Sequence, residues 1–150
     1  MKKWMALAGL LFAGAVLGQV SSLAENIRNY ASWTRVNVNK VNTAGAHALG
    51  KDVYVNLTPD RLLGANGNYK LPFGQGTIFV KERVDPQSLQ VTNVWVMQKR
   101  SNTAGDWAWA AYERKGDTFQ GGALANPAMC VDCHRQASAS DQVFTPWGRR

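Results

Sequence analysis

The stretch Cys130-Val131-Asp132-Cys133-His134 constrains this chain more than any other. Two cysteines three apart with a histidine directly after them form the attachment pattern of a c-type haem, and each residue has a physical task there. Residues three and four apart share one face of a helical turn. Both sulfurs can then reach the vinyl groups along one porphyrin edge and form thioethers. His134 falls beneath the ring, where imidazole serves as the proximal iron ligand in many haem proteins. Most of the remaining sequence then has to wall in one flat, apolar group.

Other readings of the two thiols fit less well. A structural zinc site takes four N/S ligands, whereas the chain offers two Cys and two His, the second being His47. A thioredoxin-like dithiol opens a helix after a strand, and Ala125-Asn126-Pro127-Ala128 is no strand. A disulfide across so short a loop gains little from chain entropy.

The N-terminus has the order of a secretory leader. Lys2 and Lys3 precede an apolar run from Trp4 to Leu17, and small residues follow at Gly18, Ser21, Ser22 and Ala24. Residues 1–24 are accordingly expected to be a signal peptide, cut after Gly18 or after Ala24, with a single domain over 25–150. The apolar run is short of the ~20 residues of a comfortable membrane span. Export to the periplasm also suits thioether chemistry. Removing Lys2 and Lys3 takes the formal charge from +7 to +5 (7 − 2). The other Lys and Arg are scattered, among them Lys51, Lys81, Arg83 and Lys99, without a basic run interleaved with aromatics. Nucleic acid is therefore not an expected partner, while a mildly basic surface suits an acidic redox protein.

Along the chain, Leu23, Ile27, Tyr30 and Trp33 are spaced for an amphipathic helix over 22–36. Gly45, Gly50 and several Asn mark an irregular connection. Lys51 to Leu57 alternates as a half-buried strand. Thr58 and Pro59 open a short helix that stops at Gly64, and a loop fills 66–76. Segments 77–84, 89–100 and 107–114 are rich in β-branched and aromatic residues, with turn chemistry at Asp85-Pro86 and over 101–105. Connections this short predict antiparallel neighbours. Gly121-Gly122 is read as a break before a short helix from Pro127 to about Ala137. The expected class is α+β and β-rich, an antiparallel sheet with a few helices and a C-terminal haem-binding helix.

Two phrases, Gly76-Thr-Ile-Phe-Val-Lys-Glu82 and the haem motif followed by Asp141-Gln-Val-Phe144, take their place beside Asn29-Tyr30-x-x-Trp33 and Gly105-Asp-Trp107. Together they resemble the cytochrome P460 family, which includes the cytochromes c′-beta, from about Asn29 to Thr145. The resemblance implies a β-rich homodimeric fold with one covalently attached haem c, bound through Cys130 and Cys133 and ligated by His134. It also places Lys81 where P460 enzymes bond a lysine to the porphyrin edge. Strand alternation groups Thr77, Phe79, Lys81 and Arg83 on one face, so Lys81 is either a solvent-facing strand lysine or a neighbour of the haem, cross-linked or beside a propionate.

The chain departs from the hydroxylamine-oxidising members of that family. Where they carry an arginine and a carboxylate above the iron, Val53 and either Trp95 or Val96 stand here. Proton-coupled oxidation then lacks its general base, and no catalytic residue is assigned. A wall of Phe79, Trp95 or Met97 suits reversible binding of a small neutral gas. Met97, His47 and Lys81 are the candidates for a sixth ligand. His47, in the Ala44 to Gly50 loop, could instead bond a propionate or face solvent. The favoured expectation is an open iron that binds nitric oxide or related nitrogen oxides. The alternatives are a hydroxylamine-oxidising enzyme with lysine-modified haem, an electron-transfer cytochrome, and a non-haem dithiol protein.

Overall fold

The computed structural model describes residues 23–43 and 47–148. The leader expected over 1–24 thus lies, apart from its last two residues, outside the described residues. At the centre is a seven-stranded antiparallel sheet. Its strands are β1 (Thr34–Arg35), β2 (Val41–Thr43), β3 (Leu49–Val55), β4 (Ile78–Val84), β5 (Val91–Lys99), β6 (Trp107–Lys115) and β7 (Thr118–Ala123). The order across the sheet is β1-β3-β4-β5-β6-β7, and β2 shares the free edge of β3 with β1. The helices are α1 (Pro59–Leu62) and α2 (Ala128–His134). Among the described residues no helix is long and apolar enough to cross a membrane.

Alternation sends successive side chains of each strand to opposite faces, and both faces are covered. On one, Val53, Phe79, Met97, Trp107 and Trp109 pack with Leu62, Phe73 and Val143. On the other, Ile78, Val80, Val94, Val96, Tyr112 and Phe119 pack against Leu23, Ile27 and Tyr30. Tyr30 Oη donates to Glu82 Oε2 at 2.7 Å, tying the N-terminal segment to β4.

Three sequence expectations change. The segment expected as a helix over 22–36 forms two 3-10 turns, Glu25–Ile27 and Tyr30–Ser32. Ile27, Tyr30 and Trp33 are three apart, a spacing that a three-residue turn also lines up on one side, and Ser32 Oγ donates to the Asn29 carbonyl at 2.8 Å, an alternative to helical bonding. The core-facing residues are those expected, on a different backbone. The irregular connection after Lys40 contains β2, which pairs Val41 with Lys51 and Thr43 with Leu49 in a hairpin. The break at Gly121-Gly122 is in fact part of β7.

Gly121 explains the last point. It pairs with Tyr112 on β6 at φ +136°, and a Cβ there would overlap the Ala111 carbonyl oxygen and lie 2.9 Å from Tyr112 Cα. Glycine in this strand permits close backbone approach rather than ending the strand. Gly121→Ala is expected to destabilise the fold by roughly 2–4 kcal/mol, from overpacking and backbone strain together. A chemical-denaturation midpoint within error of the parent's would refute that account.

Candidate functional site

Pro127 leads into α2, whose single face carries Cys130 and His134, while Cys133 is exposed at its end. The winding then tightens into a 3-10 segment, Arg135–Ser140, close to the helix end expected near Ala137. Cys130 packs against the sheet face that holds Phe79, Met97 and Trp109, and burial pushes its thiol pKa up. Both thiols are unbridged. His134 is buried, its ring held edge-on between Trp109, 4.7 Å away, and Phe144, at 5.0 Å. Its Nδ1 lies 2.7 Å from the Gln142 carbonyl oxygen. A carbonyl can only accept, so Nδ1 carries the proton and Nε2 presents a bare lone pair, the arrangement that orients metal-ligating histidines. Burial is the largest influence holding the imidazole neutral; the Gln142 carbonyl opposes it and Lys81 reinforces it.

The carbonyl is aimed by an unusual backbone. Asp141 and Gln142 both take positive φ, 51° and 69°, conformations that L-residues adopt at a cost. The buried Asp141 carboxylate sustains them. It receives Lys99 Nζ at 2.7 and 2.8 Å, the Gly105 N–H at 2.6 Å and the Phe73 N–H at 3.0 Å. Its own carbonyl accepts from Trp107 Nε1 at 2.9 Å.

Beside His134 opens a cavity lined mainly by apolar side chains, the usual character of a cofactor site. The β-sheet register places its wall. Val53, Lys81 and Trp95 are direct cross-strand neighbours, and Phe79, Met97 and Trp109 form the next row. Cys130, His134 and His47 also line it. Among the described residues no carboxylate lines this cavity. Val53 and Trp95 are thus the side chains on the wall, while Val96 packs within the opposite core.

Lys81 is therefore no ordinary strand lysine. It is half-buried in the cavity, and its ammonium pKa is pushed down to about 8, first by burial and then by the charge of Lys51, with Cys133 partly offsetting both. His47 is also drawn in rather than facing solvent, with its ring edge-on to Trp95 at 4.3 Å. Met97 lines the sheet wall, whereas Met129 points outward, 80% exposed. Lys51 and Lys99, read as scattered surface charges, are both buried. The phase of Lys99 with Trp95 and Met97 on one strand face was the signal that could have revealed it. The Gln142 carbonyl left no such signal, because it is backbone.

These donors suit haem. A thiol and an imidazole with a free Nε2 face one apolar cavity, and no cluster of His, Cys, Asp or Glu among the described residues is arranged to hold a bare metal ion. A sequence model of the family Cytochrome P460 matches residues 27–145. The chain belongs to the cytochrome P460 family. It is accordingly a haem-binding cytochrome of P460 type, and the β-rich antiparallel fold expected from the sequence is the one observed. No curated relative matches the chain. Within this P460 chain, the family-like phrases converge in space. Tyr30 meets Glu82, and Gly105 and Trp107 meet Asp141.

Proposed function

We propose that this P460-family protein is an exported cytochrome with one haem c, held by thioethers from Cys130 and Cys133 and ligated by His134, that binds nitric oxide or related small nitrogen oxides at an open iron position. The observation that carries the reading is the pairing of a bare His134 Nε2 with a wall of Val53, Phe79, Trp95 and Met97 in one cavity. Bound there, haem supplies a redox-active iron with a coordination position free for a ligand. The protein's residues orient the proximal imidazole and exclude water with apolar side chains, and among the described residues no carboxylate lines the cavity to take a proton. Periplasmic location follows from the basic and apolar pattern of the N-terminus, and burial of Leu23 against Ile27 and Tyr30 favours cleavage after Gly18 over Ala24. A redox protein partner and a homodimer are the accompanying proposals.

The placement of Lys81 favours a second reading, an enzyme that oxidises hydroxylamine through lysine-modified haem. An amine with a pKa near 8 in an apolar pocket is the group such a bond requires. Visible spectra of the haem-loaded protein separate the two. Nitric oxide is expected to shift the bands, and the pyridine haemochrome is expected to be that of an ordinary haem c, identical in Lys81→Arg. A red-shifted band that reverts in Lys81→Arg establishes the modified haem, and bands indifferent to nitric oxide establish a saturated electron carrier, with Met97 as the first suspect.

A further inference from the structure

His47 has no role in the scheme above, yet the fold brings it into the cavity. It lies two residues before β3, and it packs on Trp95 of β5. Strands two apart in a sheet are separated by roughly 10 Å, so His47 lies over the sheet face rather than beyond its edge. The ring lines the same cavity as His134. Burial lowers its pKa most, and the nearby Lys81, His134 and Lys51 add to that, taking it to about 4. Its Nδ1 is buried and has no hydrogen-bond partner. A buried polar nitrogen without a partner is uncommon and points to a group that completes it.

We propose that His47 is the hydrogen-bond donor of the ligand pocket, its ring N–H reaching the outer atom of a small neutral ligand such as nitric oxide on the open face of the iron. The proposal rests on the open-iron reading above. Three features select this role over the others open to a histidine here. The ring is neutral, so it offers a single N–H and no charge to attract a propionate, for which Lys81 is the better partner. The buried atom is Nδ1, which adjoins the ring carbon attached to Cβ, so a bulky metal group bound there would crowd the histidine's own side chain and backbone more than one bound at Nε2. And of its neighbours on the wall, Val53 offers no donor, Trp95 is in ring contact with His47, and Lys81 is the group assigned above to a propionate.

The test uses the haem-loaded, full-length protein, with nitric oxide as probe on the ferrous form. His47→Phe removes the donor and keeps a ring against Trp95; His47→Gln keeps an N–H. Loss of one hydrogen bond is expected to raise the nitric oxide dissociation rate about tenfold and to raise the N–O stretching frequency in His47→Phe, with His47→Gln returning both most of the way to the parent. Equal rates and stretches in parent and His47→Phe overturn the proposal. So does a ferric parent that is low-spin and becomes high-spin in His47→Phe, which makes His47 an axial ligand. A changed reduction potential with unchanged dissociation rate and N–O stretch assigns it to a propionate instead, and also overturns the proposal. If nitric oxide leaves the parent's own spectrum unaltered, the open-iron reading falls first and the role of His47 falls with it.

Discussion

Asp141→Ala is expected to lower the unfolding free energy by about 3–5 kcal/mol, the range for removing one partner of a buried ion pair. Lys99 and Asp141 are almost wholly inaccessible, with side-chain exposures of 0% and 2%. The substitution strands the Lys99 ammonium, which keeps only the Thr103 carbonyl at 2.7 Å and the face of Trp107. It also orphans the N–H groups of Gly105 and Phe73. Three separate segments lose their common acceptor, so the effect exceeds that of any exposed ion pair in this chain, such as Arg135–Asp132, where about 0–1 kcal/mol is expected. The same change frees the two strained residues that aim the Gln142 carbonyl at His134. The haem-loaded variant should therefore show a perturbed ferric spectrum at temperatures where it is still folded. Urea unfolding with an unchanged slope and a lowered midpoint is the expected result. A loss below 1 kcal/mol would show that the carboxylate does not hold the three segments, and a parent-like spectrum that it does not steer His134.

His134→Ala is expected to leave the haem attached through Cys130 and Cys133 while altering the environment of its iron. The ring is replaced by a void between Trp109 and Phe144, and the Gln142 carbonyl loses its donor. An unsatisfied buried acceptor costs about 1–3 kcal/mol, so a modest loss of stability accompanies a large change in the visible and paramagnetic resonance spectra. Added imidazole, small enough to enter the void, should restore the parent spectrum. An unaltered spectrum in His134→Ala excludes His134 as the proximal ligand, whatever the stability.

Much of the sheet was legible in the chain because its signals are local. β4, β5 and β6 fall within a residue or two of the segments picked out by β-branched and aromatic runs and by the turns at Asp85-Pro86 and 101–105. α1 follows Thr58 and Pro59 as expected. Where a local signal had two meanings, the tertiary context chose. Three-residue spacing of apolar residues near Tyr30 served 3-10 turns, since the segment only had to press one side against Ile78 and Val80. Two glycines at 121–122 signified close pairing with β6, because Ala111 and Tyr112 leave no room for a Cβ. A lysine at 99 looked like surface charge until the chain, forty-two residues later, delivered Asp141 to it.

The sequence by itself determined the grouping on which the haem proposal rests, because Cys130, Cys133 and His134 fall within a little more than one helical turn and need nothing distant to bring them together. It also determined the apolar character of the wall, which period-two alternation imposes on each strand separately. Only the tertiary structure decided what surrounds the imidazole and what else enters its cavity. Those choices, the Gln142 carbonyl behind His134 and His47 folded onto Trp95, depend on backbone direction and on pairing between strands far apart in the chain. Neither leaves a pattern in residue types, since a carbonyl belongs to every residue and a histidine in a loop reads the same whether it turns outward or in.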